Sequence, residues 1–73
     1  MLKLPTVSGQ EVVKALSKIG FKFRRQVGSH MILKRQSDGK RISVPNHGEL
    51  PRGTLRAIIR QAGLTVDEFQ NLL

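Results

Sequence analysis

His30-Met31-Ile32-Leu33-Lys34-Arg35-Gln36-Ser37-Asp38-Gly39-Lys40-Arg41-Ile42-Ser43-Val44-Pro45 is the segment on which the fold turns. His30 to Gln36 is rich in apolar residues, and Arg41 to Pro45 alternates apolar with polar, the period of a half-buried strand. Asp38-Gly39 between them favours a two-residue hairpin, because a type I′ turn needs positive φ at both positions. That turn predicts pairing of Gln36 with Arg41, Lys34 with Ser43, Leu33 with Val44 and Ile32 with Pro45. Met31, Leu33, Ile42 and Val44 then share a face that helices must cover. Ile32, Lys34, Gln36, Arg41 and Ser43 share the other, wet and basic face. Two steps further, the register sets His30 opposite His47 on the wet face, with Cβ atoms roughly 4.5–5.5 Å apart. Pro45, which cannot donate to a ladder, lies just inside that extrapolation.

Outward from the hairpin, Phe21 to Gln26 alternates aromatic with basic or polar residues and predicts a first strand. Phe21 and Phe23 belong on the core face, and Lys22 and Arg24 on the wet one. That parity requires an odd connection, which Val27-Gly28-Ser29 supplies if Gly28 takes a left-handed bulge position. Ser8 and Glu11 form a capping box ahead of a helix carrying Val12, Val13, Leu16 and Ile19, with Gly20 at its end. A second helix is predicted over about 53–62, with Leu55, Ile58, Ile59 and Ala62 as its apolar stripe. Thr65 and Glu68 form another capping box before a short last helix with Phe69 and Leu72. The expected fold is α+β: one domain over residues 1–73, in the order α-β-β-β-α plus a short helix, with the helices on one face of an antiparallel sheet.

Thirteen Lys and Arg face five Asp and Glu in 73 residues, a net charge of +8. Such a surface favours a polyanion through steering and counterion release. A domain this small buries only about 60–65% of its unfolded surface. Without cysteine there is no disulfide or thiolate site, and two histidines with few carboxylates do not close a zinc site. Neither a metal nor another cofactor is expected. No apolar run approaches about 18 residues, and Met1-Leu2-Lys3-Leu4-Pro5 lacks a signal-peptide core. The expectation is a cytoplasmic protein without membrane contact. Tyr and Trp are absent and the three Phe are needed inside, which disfavours a stacking platform for bases. Arg52, Arg56 and Arg60 form a second basic stripe, either a solvated helix face or a contact for phosphate or a partner.

The wet face therefore gathers cations around His30 and His47. Those groups suffice for RNA cleavage without metal. A base takes the proton of a 2′-OH, an acid protonates the departing 5′-oxygen, and cations hold the phosphorane charge. Imidazole suits both proton roles because its ordinary pKa is about 6.5. On these residues alone, a double-stranded RNA reader without chemistry is an equal alternative. An adaptor docking an acidic protein is a third.

The chain also resembles the HicA family of toxin–antitoxin toxins. The resemblance is carried in order by Ser8-Gly9-Gln10-Glu11-Val12-Val13, Gly20-Phe21, Gly28-Ser29-His30, Val44-Pro45-Asn46-His47, Gly53-Thr54-Leu55-Arg56-Ala57-Ile58 and Gln61-Ala62-Gly63-Leu64. It implies a double-stranded-RNA-binding-domain-like fold and an mRNA-cleaving toxin neutralised by a HicB-type antitoxin. The family's Gly-Ser-His histidine maps onto His30 as catalytic, and the histidine after the Val-Pro segment maps onto His47, a possible partner. Many relatives carry a second histidine where this chain has Met31. Lys22, Arg24, Ser29, Lys34 and Arg41 complete the expected RNA-binding set.

Overall fold

Helix α1 (Gly9–Ser17) starts where Ser8 accepts the Glu11 N–H and the Glu11 carboxylate accepts the Ser8 N–H. This reciprocal cap satisfies two donors that a helix start leaves open. The computed structural model describes residues 4–73; the part of the leader reading that rests on residues 1–3 lies outside them. Strands β1 (Phe21–Val27), β2 (His30–Arg35) and β3 (Arg41–Pro45) form one antiparallel sheet in the order β1-β2-β3. Helices α2 (Arg52–Gln61) and α3 (Val66–Gln70) follow, the latter capped by Thr65 and Glu68 as the sequence predicts.

The sheet packs its inner face under the helices. Met31, Leu33, Ile42 and Val44 are all buried there beside Phe21, against Val12, Ala15 and Leu16 of α1 and Leu55, Ile58 and Ile59 of α2. Phe69 of α3 closes the same core. Each fully buried large side chain contributes about 1.5–3 kcal/mol, so a handful of them carries this thin domain. Phe23 departs from expectation: it lies on the helix side of the sheet but is 52% exposed.

The register differs from the two-residue turn. His30 pairs with Pro45, Met31 with Val44, Ile32 with Ser43, Leu33 with Ile42 and Lys34 with Arg41. The connection is a longer loop through Gln36-Ser37-Asp38-Gly39. Asp38 has negative φ, which excludes a type I′ turn, and only Gly39 is left-handed (φ 70°). Local bonds select this loop. The Arg35 guanidinium donates to both Asp38 carboxylate oxygens at 3.1 and 2.8 Å, and the Lys40 N–H donates to Asp38 at 3.1 Å. Arg35 also sits over the Phe21 ring, 4.6 Å from its centroid. The pairing therefore slides by two residues. Every side chain keeps its face, but His30 loses His47 as its cross-strand neighbour.

β1 and β2 also join differently. The connection is the two-residue turn Gly28-Ser29, with Val27 paired to His30 and Gly28 at φ 60°. Left-handed Gly followed by a residue of negative φ is the type II′ pattern. An even connection would invert the parity of β1, and a bulge between Phe23 and Arg25 restores it. Arg24 is the extra residue, and Arg25 rather than Arg24 pairs with Ile32.

α1 begins hard against the end of β3. The Gly9 N–H donates to the His47 carbonyl at 2.9 Å, and a Cβ at Gly9 would overlap the Pro45 carbonyl oxygen. Gly9→Ala is therefore expected to cost about 1–3 kcal/mol, read as about 4–8 °C of Tm per kcal/mol in thermal unfolding; an unchanged Tm would show that the contact is slack. The hairpin loop supplies a pH test. The Arg35 hydrogen bond, then the Lys40 N–H, lowers the Asp38 carboxyl from 3.8 to about 2. Its stabilising contribution is complete above the ordinary carboxylate range and is lost as pH falls towards 2. Between pH 4 and 2, stability should fall more steeply in the wild type than in Asp38→Asn; parallel acid limbs would refute the clamp.

Candidate nucleic-acid interface

The outer face of the sheet is organised in three rows set by the register. Lys22, Lys34 and Arg41 form the first, Arg25, Ile32 and Ser43 the second, and Val27, His30 and Pro45 the third. Successive rows are about 7 Å apart along a strand. The all-cation row thus lies roughly 13 Å from His30, so it does not ring the histidine. Arg25 of the middle row is the sheet cation nearest to it by register. The residues Arg25, Val27, His30, Ile32, Arg41 and Ser43 line one open depression, and Arg24 joins Arg25, Lys34 and Arg41 in an adjoining one.

Like charges facing each other across strands repel. Lys22, Lys34 and Arg41 do so in one line, and nothing on this face neutralises them. Among the described residues the only ion pair is Arg35–Asp38, on the helix side at the hairpin end. The row is favourable only when an anion lies over it, which makes the face suited to a polyanion.

His30 is exposed, and its ring is oriented by one side chain. Ser43 Oγ lies 3.3 Å from Nδ1. A hydroxyl accepts as well as donates, so Ser43 can receive an Nδ1–H and leave the Nε2 lone pair for a substrate proton. The backbone around His30 is fixed from both sides. The Asn46 N–H donates to the Ser29 carbonyl at 2.7 Å. The Asn46 carboxamide accepts from Gln10 and donates to Gln26, whose own amide donates to the Gly28 carbonyl. A chain of amides thus ties the Gly28-Ser29 turn to α1 and to the end of β3. Ser29 itself occupies the turn immediately before His30, with its side chain exposed.

His47 lies beyond β3, exposed, with its carbonyl held by Gly9. Among the described residues no hydrogen bond joins the two imidazoles. Sequence reasoning missed Arg25, because it missed the bulge. The missed signal is Gly28-Ser29, a type II′ dipeptide whose even length conflicts with the Phe21/Phe23 parity.

α2 borders the site along β3. Leu55, Ile58 and Ile59 face the core, while Gly53, Thr54, Ala57 and Gln61, with the edge of Ile58, line an open recess of about 490 Å³ with His30, Ser43 and Pro45. Arg52, Arg56 and Arg60 are exposed on a third flank, about 6 Å apart along the helix axis. Among the described residues no three His, Cys, Asp or Glu side chains gather into a metal site, and no helix is long and apolar enough to cross a membrane.

The family model described as the HicA toxin of bacterial toxin–antitoxin systems matches residues 9–64. The match covers all three strands, both histidines and the whole of α2, and ends before α3. No curated protein matches the chain.

The Ser43 contact makes a test that needs no substrate. In nitrogen NMR spectra of neutral His30, Ser43→Ala should redistribute the proton between Nδ1 and Nε2. An unaltered tautomer ratio would show that Ser43 does not orient the ring.

Proposed function

The chain belongs to the HicA toxin family, and from that membership we propose that it is a metal-independent endoribonuclease whose proton-transfer group is His30. As a toxin of a toxin–antitoxin system it has an antitoxin partner. The proposed substrate is mRNA, which places the protein in the cytoplasm, and the proposed antitoxin is of the HicB type.

The observation that carries the reading is an exposed imidazole, bonded through Nδ1 to Ser43, at the edge of a cationic sheet face. With Ser43 accepting the Nδ1 proton, Nε2 takes the proton of a ribose 2′-OH. The 2′-oxygen attacks the adjacent phosphorus, and the bond to the 5′-oxygen breaks. The proton on Nε2 passes to that leaving oxygen. The products are a 2′,3′-cyclic phosphate and a 5′-hydroxyl, with no net proton gained or lost. One histidine serves as base and then as acid.

Arg25, the sheet cation nearest to His30 by register, is assigned to the charge that grows on the phosphoryl oxygens. Lys22, Lys34 and Arg41 hold phosphates further along the strand, Arg24 extends that contact from the bulge, and Ser29 contacts RNA from the turn. His47 keeps its place in the family motif as a possible partner, outside the cross-strand pair that His30 makes with Pro45. The same open face is what an antitoxin would need to cap.

His30→Ala should stay folded, because the side chain is exposed, and should lose about 10²–10⁴-fold in RNA cleavage measured with EDTA present. Full cleavage by the folded variant would remove His30 from the chemistry. Tight binding of duplex RNA by the wild type without any cut product would favour a reader without chemistry.

A further inference from the structure

We propose that the recess between His30 and α2 receives a nucleobase next to the cleaved phosphate, and that Gln61 reads the edge of that base. The inference rests on the ribonuclease reading and adds a specificity residue to it.

α2 has turned a second face towards the site. Gly53, Thr54, Ala57 and Gln61 fall at i, i+1, i+4 and i+8, one side of the helix, and with the edge of Ile58 form one wall of the recess; His30, Ser43 and Pro45 form the other. Two of these helix residues are small, so the wall is low. A Cβ at Gly53 would meet nothing within 4 Å. No Lys or Arg lines the recess, whereas Arg25 and Arg41 line the depression on the other side of His30. A nucleotide has the same division, an anionic phosphate and a neutral base. With phosphate on the arginine side, the base is left with the uncharged recess.

Gln61 lines both depressions and so stands at their junction. Its carboxamide makes no hydrogen bond among the described residues, while the amides of Gln10, Gln26 and Asn46 are tied to one another. A free carboxamide offers a donor beside an acceptor, the pattern that pairs with adenine N7 and N6–H2. Bases of single-stranded RNA are read on their edges in this way. No Phe, Tyr or Trp lines the recess, and the one ring there, the His30 imidazole, is assigned to proton transfer, so the preference is assigned to hydrogen bonding.

The test is to map every cut in one long RNA of mixed sequence for the wild type, Gln61→Ala and Gln61→Glu. The wild type should prefer adenine at one position flanking the cut. Gln61→Ala should flatten that preference by about tenfold or more, through loss at preferred sites and not at others. Gln61→Glu keeps the shape but only accepts, and should move the preference towards cytosine, whose N4–H2 donates. Ala57→Leu, which fills the recess from an exposed position, should slow cutting at all sites while circular dichroism stays unchanged. Identical cut patterns in active Gln61 variants, or no flanking preference in the wild type, overturn the proposal alone. No cutting by the wild type overturns the ribonuclease reading, and this proposal with it.

Discussion

Period-two alternation in a sheet covered on one side only is the constraint from which the rest of this molecule follows. Burying Met31, Leu33, Ile42 and Val44 fixes which atoms of β2 and β3 meet the helices. Everything between those positions is then forced outward, whatever its chemistry. A one-residue slip of either strand would put its two apolar core residues in water and, in their place, His30 and Lys34 of β2 or Arg41 and Ser43 of β3 in the core. The exposed position of His30 is therefore a by-product of burying its neighbour Met31. No buried polar network is needed to hold it there, and none of the core residues is polar.

The same constraint explains what the sequence made legible. Faces depend on parity, and parity survives any change of loop length by two. The loop through Gln36-Ser37-Asp38-Gly39 therefore left the two faces as expected while moving every partner by two residues, and His47 left the row of His30. The sequence carried no local signal strong enough to prefer the longer loop. Asp38 follows an Arg three residues before it, and the bidentate contact with a guanidinium stacked on Phe21 is a tertiary fact. The bulge at Arg24 was hidden for a similar reason. Two correct local signals, the Phe21/Phe23 alternation and the Gly28-Ser29 turn, contradict each other, and only an inserted residue reconciles them. Capping boxes and the buried stripe of α2 were legible because they depend on residues within one turn of helix.

Charge is distributed with the same asymmetry as polarity. The one ion pair among the described residues joins β2 to its own hairpin loop on the helix side. It serves folding and leaves the outer face uncompensated. There, arginine and lysine face one another across strands, and a separate arginine stripe runs down α2. The resulting repulsion is tolerable for exposed side chains in salt. An anionic partner relieves it. RNA and an acidic antitoxin would draw on the same relief, and so would compete electrostatically before any contact between specific residues is made.

The bulge has one more consequence, for the behaviour of many copies together. β1 is an edge strand, and it carries the half-exposed Phe23. A straight strand with that side chain would offer a flat row of unpaired amides and carbonyls on which another chain could build. The extra residue twists the edge at Arg24, and Lys22, Arg24 and Arg25 surround the twist with charge. The device that sets Arg25 on the outer face beside Ile32 thus also keeps the free edge from serving as a template for aggregation, so edge protection and the geometry of the outer face are set by the same inserted residue.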